Sequence, residues 1–120
     1  MTDVGDLLAR AQQVVREAAS EVLTRDHAQL RRVTGTQLGG RELKLDVDAR
    51  LEAALVERLT PIGLPILSEE SGLLGTPGAD GLIWVIDPLD GSVNFRRNSG
   101  PSAICVALCR GSEPEWGVMF

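Results

Sequence analysis

The segment Ile83-Trp84-Val85-Ile86-Asp87-Pro88-Leu89-Asp90-Gly91-Ser92-Val93-Asn94-Phe95 opens with an apolar run in which Ile83, Val85 and Ile86 are β-branched. No polar residue alternates with them, so the run reads as a strand buried on both faces. Proline removes a ladder donor and holds the residue before it in extended geometry, which predicts that the strand stops at Asp87. Asp90-Gly91-Ser92 then supplies turn chemistry and a possible helix start. Two carboxylates, Asp87 and Asp90, thus stand at the mouth of a strand. The turn between them can free the Leu89 carbonyl, and the small residues beyond can bring backbone N–H groups up to an anion. Hard oxygen donors at a strand end followed by exposed N–H groups suit Mg²⁺ and a phosphate. An Asp-Pro turn followed by an aspartate helix cap, with no metal, is the plainer alternative for this segment alone.

Working towards the amino terminus, Leu64-Pro65-Ile66-Leu67 is a short apolar run that reads as another strand, stopping at Ser68-Glu69-Glu70-Ser71-Gly72. Adjacent glutamates after a strand are commonly a solvated turn, yet this is a second strand end carrying carboxylates. Residues 73–81 read as a connecting loop; their glycines lack the lysine and preceding strand of a phosphate-binding loop. Two amphipathic helices come first. One runs from about Asp3 to Leu30, with Val4, Leu7, Leu8, Ala11, Val15, Ala18 and Val22 at three- and four-residue spacing and Arg10, Gln13, Arg16, Glu17 and Glu21 on a solvated face. The other follows Asp46-Val47-Asp48; its stripe is Val47, Leu51, Ala54, Leu55 and Leu59, and Pro61 and Gly63 close it. Asp46 or Asp48 is a fitting N-cap. Thr34 to Gly40 reads as a polar loop between them.

Towards the carboxyl terminus, Arg96 and Arg97 lie in a loop, as solvated residues or as substrate contacts. Ser102 to Leu108 reads as a strand, Arg110 to Pro114 as a turn, and Glu115 to Phe120 as a further strand. A carboxyl-terminal Val-Met-Phe would leave that strand's edge bare, so the sequence reads as the amino-terminal part of a longer protein, residues 1–120 forming part of one domain.

Composition narrows the function classes. The net charge of −5 argues against a surface that coats nucleic acid, and 3% aromatic residues with no tyrosine argue against base-stacking platforms. No apolar run approaches transmembrane length, so no membrane role is expected. The single histidine, His27, has no His/Cys cluster around it, which speaks against zinc. Cys105 and Cys109 fall in one strand, where their spacing spans roughly 13 Å, beyond disulfide reach. Both are expected as reduced, buried or half-buried small hydrophobes, and with no amino-terminal leader pattern a cytoplasmic location follows.

Three segments, in order, carry a resemblance: Asp46-Val47-Asp48-x-x-x-Glu52, Leu67-Ser68-Glu69-Glu70-Ser71-Gly72 and Trp84 to Phe95. Together they resemble the inositol monophosphatase family of Mg²⁺-dependent, lithium-sensitive phosphatases, over about the first half of a usual member. The resemblance implies an α/β fold, a layered α/β/α sandwich whose amino-terminal portion packs two helices on a largely antiparallel sheet. It implies hydrolysis of a small phosphorylated metabolite with two or three Mg²⁺ ions. By that resemblance Glu69, Asp87 and the Leu89 carbonyl would hold a first ion, Asp87 and Asp90 a second, and Glu70 would act through water. Gly91 and Ser92 would offer N–H groups to the phosphate. The catalytic set would be Asp48, Glu69 and Ser92: the Ser92 hydroxyl, hydrogen-bonded to Asp48, would orient and deprotonate the attacking water, most of whose acidity would come from the metal.

Two departures stand out. Serine replaces the usual threonine at Ser92, keeping the hydroxyl but losing the methyl that restricts its rotamer. The family's downstream Trp-Asp-x-Ala-Ala-Gly motif, whose aspartate completes the second metal site, is absent from this sequence. A non-catalytic metal-binding or dimer-forming module is therefore the alternative. Val93-Asn94-Phe95 leans towards the inositol phosphate branch of the family rather than the adenosine bisphosphate branch. Family members are commonly homodimers.

Overall fold

The computed structural model describes residues 3–24, 33–36, 43–68, 71–90, 103–110 and 113–119; for 33–36, 43–45, 90 and 113–119 it describes the backbone alone. In chain order the elements are α1 (Val4–Leu23), β1 (Val33–Thr36), β2 (Leu43–Leu45), α2 (Asp46–Leu59), a 3₁₀ turn (Thr60–Ile62), β3 (Ile66–Ser68), β4 (Gly72–Leu74), β5 (Leu82–Asp90), β6 (Ala103–Arg110) and β7 (Glu113–Met119). Strands β1 and β2 form a two-stranded ribbon, and the rest form a five-stranded sheet in the order β4-β3-β5-β6-β7. Only the β3–β5 pairing is parallel; the other neighbours in this sheet run antiparallel. Two helices on a largely antiparallel mixed sheet is the α/β architecture expected from the sequence.

The helices form where the apolar spacing predicts them. Asp3 caps α1 by accepting from the Gly5 N–H at 2.9 Å. The buried stripe of α1 comprises Leu7, Ala11, Val14, Val15, Ala18, Ala19 and Val22. Its described end, however, is Leu23 rather than Leu30: the Thr24 hydroxyl turns back onto the Ser20 carbonyl at 2.9 Å, and residues 25–32, with His27, lie outside the described residues. All five stripe residues of α2 are buried. Its two aspartates sit inside the first turn rather than ahead of it, where negative charge complements the helix dipole, and Asp46 pairs with Arg50 one turn on. Gly63 closes the following turn in the left-handed region, φ 93°, its N–H reaching the Thr60 carbonyl.

Both helices cover one face of the sheet. Ile66, Leu82, Trp84, Ile86, Ile104, Val106 and Leu108 point into the helices and form one core with them. Arg58 of α2 fastens the helix pair at its edge, contacting Glu17 at 3.3 Å and Glu21 at 2.8 Å. These are partly exposed pairs, so Arg58→Ala should cost about 1 kcal/mol or less. A urea melt checks this, and a loss several times larger would mean the pairs are not surface contacts.

Four expectations about the strands are corrected. Strand β5 does not stop at Asp87: its pairing with β6 shifts register between Asp87 and Asp90, and Asp90 rejoins the ladder opposite Ala103. Pro88, which cannot donate to a ladder, falls inside that bulge, so the strand bends there instead of ending. Nor is β5 buried on both faces. Leu82, Trp84 and Ile86 are buried, but Ile83, Val85 and Asp87 on the other face are half-buried, as are Cys105 and Ala107 opposite Asp87 and Val85. Residues 73–81 are not all loop, because Gly72–Leu74 pairs with β3 as an edge strand although Leu73 is half exposed. Likewise the segment read as a polar loop from Thr34 overlaps β1, which is held by pairing with β2. The strands β6 and β7 form as expected, two residues longer than read at the end of one and the start of the other. Cys105 and Cys109 are both free on β6, as their spacing implied, and both are half-buried.

Candidate metal and phosphate site

Parallel pairing of β3 with β5 sets Ser68 beside Ile86. In the sequence Glu69 follows Ser68, and Asp87 follows Ile86. The strand segments that precede Glu69 and Asp87 in the sequence therefore run side by side in the same direction. Antiparallel pairing would have run them towards opposite ends of the sheet.

Helix α2 lies over this end. Asp48 and Glu52 are spaced four residues apart, hence on one helical face about 6 Å apart along the axis. Both are buried, at 6% and 9% exposure. Ser68 Oγ donates to Glu52 Oε1, and Ser71 Oγ donates to the same oxygen at 2.8 Å. The amino-terminal half of α2 is thereby tied to the strand end that precedes Glu69. Asp87 belongs to the opposite face of the sheet, with Ile83 and Val85. The described acids thus approach the sheet's end from both sides. Leu89 turns its side chain into the core at 7% exposure, which follows from the bulge around Pro88.

Of the residues assigned by resemblance, Asp48, Asp87 and Leu89 are described with their side chains, and Asp90 by its backbone. Glu69, Glu70, Gly91 and Ser92 lie outside the described residues, as do Arg96 and Arg97. Among the described residues no three His, Cys, Asp or Glu side chains gather into a metal site. The donors that are described there are carboxylates, the oxygen chemistry that Mg²⁺ takes. A cleft of about 680 Å³, lined among others by Pro65, Asp80, Leu82 and Arg110, opens at the other end of β5 and shares none of these residues.

Sequence reasoning gave Glu52, Ser68 and Ser71 no role. The signal was present: Glu52 shares a helical face with Leu55 and Leu59, and a charge at a core-facing position must find a partner.

Two helices on one face of a mixed, largely antiparallel sheet define a layered α/β fold. A model of the inositol monophosphatase family matches residues 3–120. Inositol-1-monophosphatase ImpA of Mycolicibacterium smegmatis is 32% identical over 127 aligned positions, covering 100% of this chain and 45% of that protein. The fructose-1,6-bisphosphatase/inositol-1-monophosphatase of Thermococcus kodakarensis is 35% identical over 86, covering 72% of this chain and 32% of that protein. Among solved structures, the extragenic suppressor protein suhB of Bartonella henselae superposes with a TM-score of 0.80 over 96% of this chain and 45% of its own, at 23% identity, a likeness of fold. The chain belongs to the inositol monophosphatase family, and it spans less than half the length of these relatives.

Proposed function

We propose that this chain forms the amino-terminal part of a Mg²⁺-dependent phosphatase acting on a small phosphate monoester. The observation carrying the reading is the parallel β3–β5 pairing, which issues the segments of Glu69 and Asp87 from adjacent strand ends. Two relatives named for inositol monophosphate and fructose 1,6-bisphosphate support a polyol or sugar phosphate as substrate.

Glu69, Asp87 and the Leu89 carbonyl would hold one ion; Asp87 and Asp90 would hold a second, with Glu70 acting through water. When bound, Mg²⁺ supplies neutralisation of the phosphoryl charge. Gly91 and Ser92 bind the phosphate through their N–H groups. Asp48 accepts from the Ser92 hydroxyl, whose oxygen orients the attacking water and takes up its proton. Burial of Asp48 keeps its carboxylate fixed on the helix, and so fixes the serine it serves. No described helix is long and apolar enough to cross a membrane. A cytoplasmic, lithium-sensitive homodimer completes the proposal.

Phosphate release by the whole gene product tests this, with inositol monophosphate and fructose 1,6-bisphosphate as substrates. Release from one or both is expected with Mg²⁺, and is expected to be lost on chelation and depressed by lithium. The alternative reading is a metal-binding module without turnover. Mg²⁺ binding with no phosphate release by the whole gene product would establish that one instead.

A further inference from the structure

We propose that Glu52 is a positioning residue, whose buried carboxylate sets the short segment bearing Glu69 and Glu70. The inference rests on the metal reading above and deepens it. One carboxylate oxygen, Glu52 Oε1, accepts from Ser68 Oγ and from Ser71 Oγ. Those two serines bracket Glu69-Glu70 in the sequence. The clamp therefore holds both flanks of a two-residue step from a single point on α2.

Each anchor is itself fixed. Ser68 is 2% exposed at the end of β3, and its backbone position is registered against Gly72 of β4 and Ile86 of β5. Glu52 lies on the buried face of α2, one turn after Asp48 and one turn before Leu55 and Val56. The face that places Asp48 therefore also places the clamp. The helix thus couples the strand-end glutamates to the acid proposed to serve Ser92.

A purely structural contact would not need this chemistry. A buried carboxylate is costly to desolvate, and an apolar side chain of similar volume often serves stability as well. What a carboxylate adds is an acceptor that takes two hydroxyl donors at once with charge-assisted bonds. Both donors sit beside residues proposed to meet a cation. The usual consequence of removing such an outer partner is a loss of metal affinity rather than of fold.

Calorimetric Mg²⁺ titration of the whole gene product tests the role, alongside urea melts and amide hydrogen exchange at residues 69–71. Glu52→Ala should weaken Mg²⁺ binding about 10- to 100-fold. Glu52→Gln keeps the length and one acceptor oxygen, so it should recover part of that loss. Ser71 is exposed, so Ser71→Ala removes one arm of the clamp without threatening the core. It should weaken Mg²⁺ binding several-fold and speed exchange at residues 69–71, with the urea midpoint unchanged. A merely structural glutamate would shift the melt and leave the Mg²⁺ affinity of Ser71→Ala and Glu52→Gln at the wild-type value; that result overturns the positioning role alone. Absence of Mg²⁺ binding by the wild-type protein overturns the metal reading, and the positioning role with it.

Discussion

Asp87→Asn is expected to lower Mg²⁺-dependent phosphate release by the whole gene product more than about 100-fold, because outer partners of a metal site already cost about 10- to 100-fold and Asp87 is proposed as a direct ligand shared by two ions. Asparagine has the same shape and keeps one oxygen, so the loss would report charge and not packing. Asp87 is half-buried and sits opposite Cys105 in the β5–β6 ladder, in a strand pinned on both sides. The backbone has little room to respond to the change. Without metal, the substitution removes one of the carboxylates proposed to share the site, so the variant should be as stable as wild type or slightly more so. With metal, the order should invert. Mg²⁺ stabilises the folded state according to its concentration relative to its dissociation constant, and the variant forfeits most of that gain. Parallel urea melts with and without Mg²⁺ read this directly. Activity within about 10-fold of wild type at saturating Mg²⁺ is too small a loss for a shared direct ligand, and would remove Asp87 from the metal site.

The sequence made the helices legible because their apolar residues repeat with the helical period, and burial of that stripe is what stabilises them. Every residue read into the α2 stripe is buried. The site was legible in part for another reason. Acids at strand ends contradict the apolar runs that precede them, and such contradictions mark chemistry. The features that escaped the sequence are those held by backbone pairing. Strand β4 is short, begins with glycine and exposes Leu73, so neither periodicity nor composition marks it; its partner β3 does. Strand β1 escaped likewise, being fixed by β2. The one-sided burial of β5 was illegible because an apolar run carries no label for which face the helices take. The bulge at Pro88 followed from a fact the sequence does contain, the missing N–H. What it lacks is the rest of the ladder, β6, which recaptures the chain at Asp90. Glu52 escaped because its partners lie 16 and 19 residues away, at the end of β3 and just before β4, where the pairing of those strands puts them.

Trp84→Ala should be the most damaging change to the fold, costing about 3–5 kcal/mol against a total stability of about 5–15 kcal/mol for a domain of ordinary size. Trp84 is wholly buried and lies between Ile66 on β3 and Leu108 on β6, on the strand that α2 covers. Its own N–H holds the Pro65 carbonyl at 2.9 Å, but that bond belongs to the backbone and survives truncation. The cost comes from the cavity left between α2 and three strands, which no neighbour is free to fill. Ile66, Leu82 and Leu108 are each themselves buried at 2% exposure or less. With a urea slope of about 1–3 kcal/mol per molar, the midpoint should fall by about 2 M. Trp84→Phe retains most of the ring volume and should lose well under half as much. The two variants together separate a cavity from any other cause, since a cavity scales with the volume removed. The same loss bears on the site as well. Trp84 is two residues before Ile86, whose register with Ser68 aligns the strand ends that carry the carboxylates. At low denaturant, Trp84→Ala should therefore bind Mg²⁺ more weakly even while most molecules remain folded. A destabilisation of less than about 1 kcal/mol would place Trp84 outside the core and with it reject the packing of α2 on this strand.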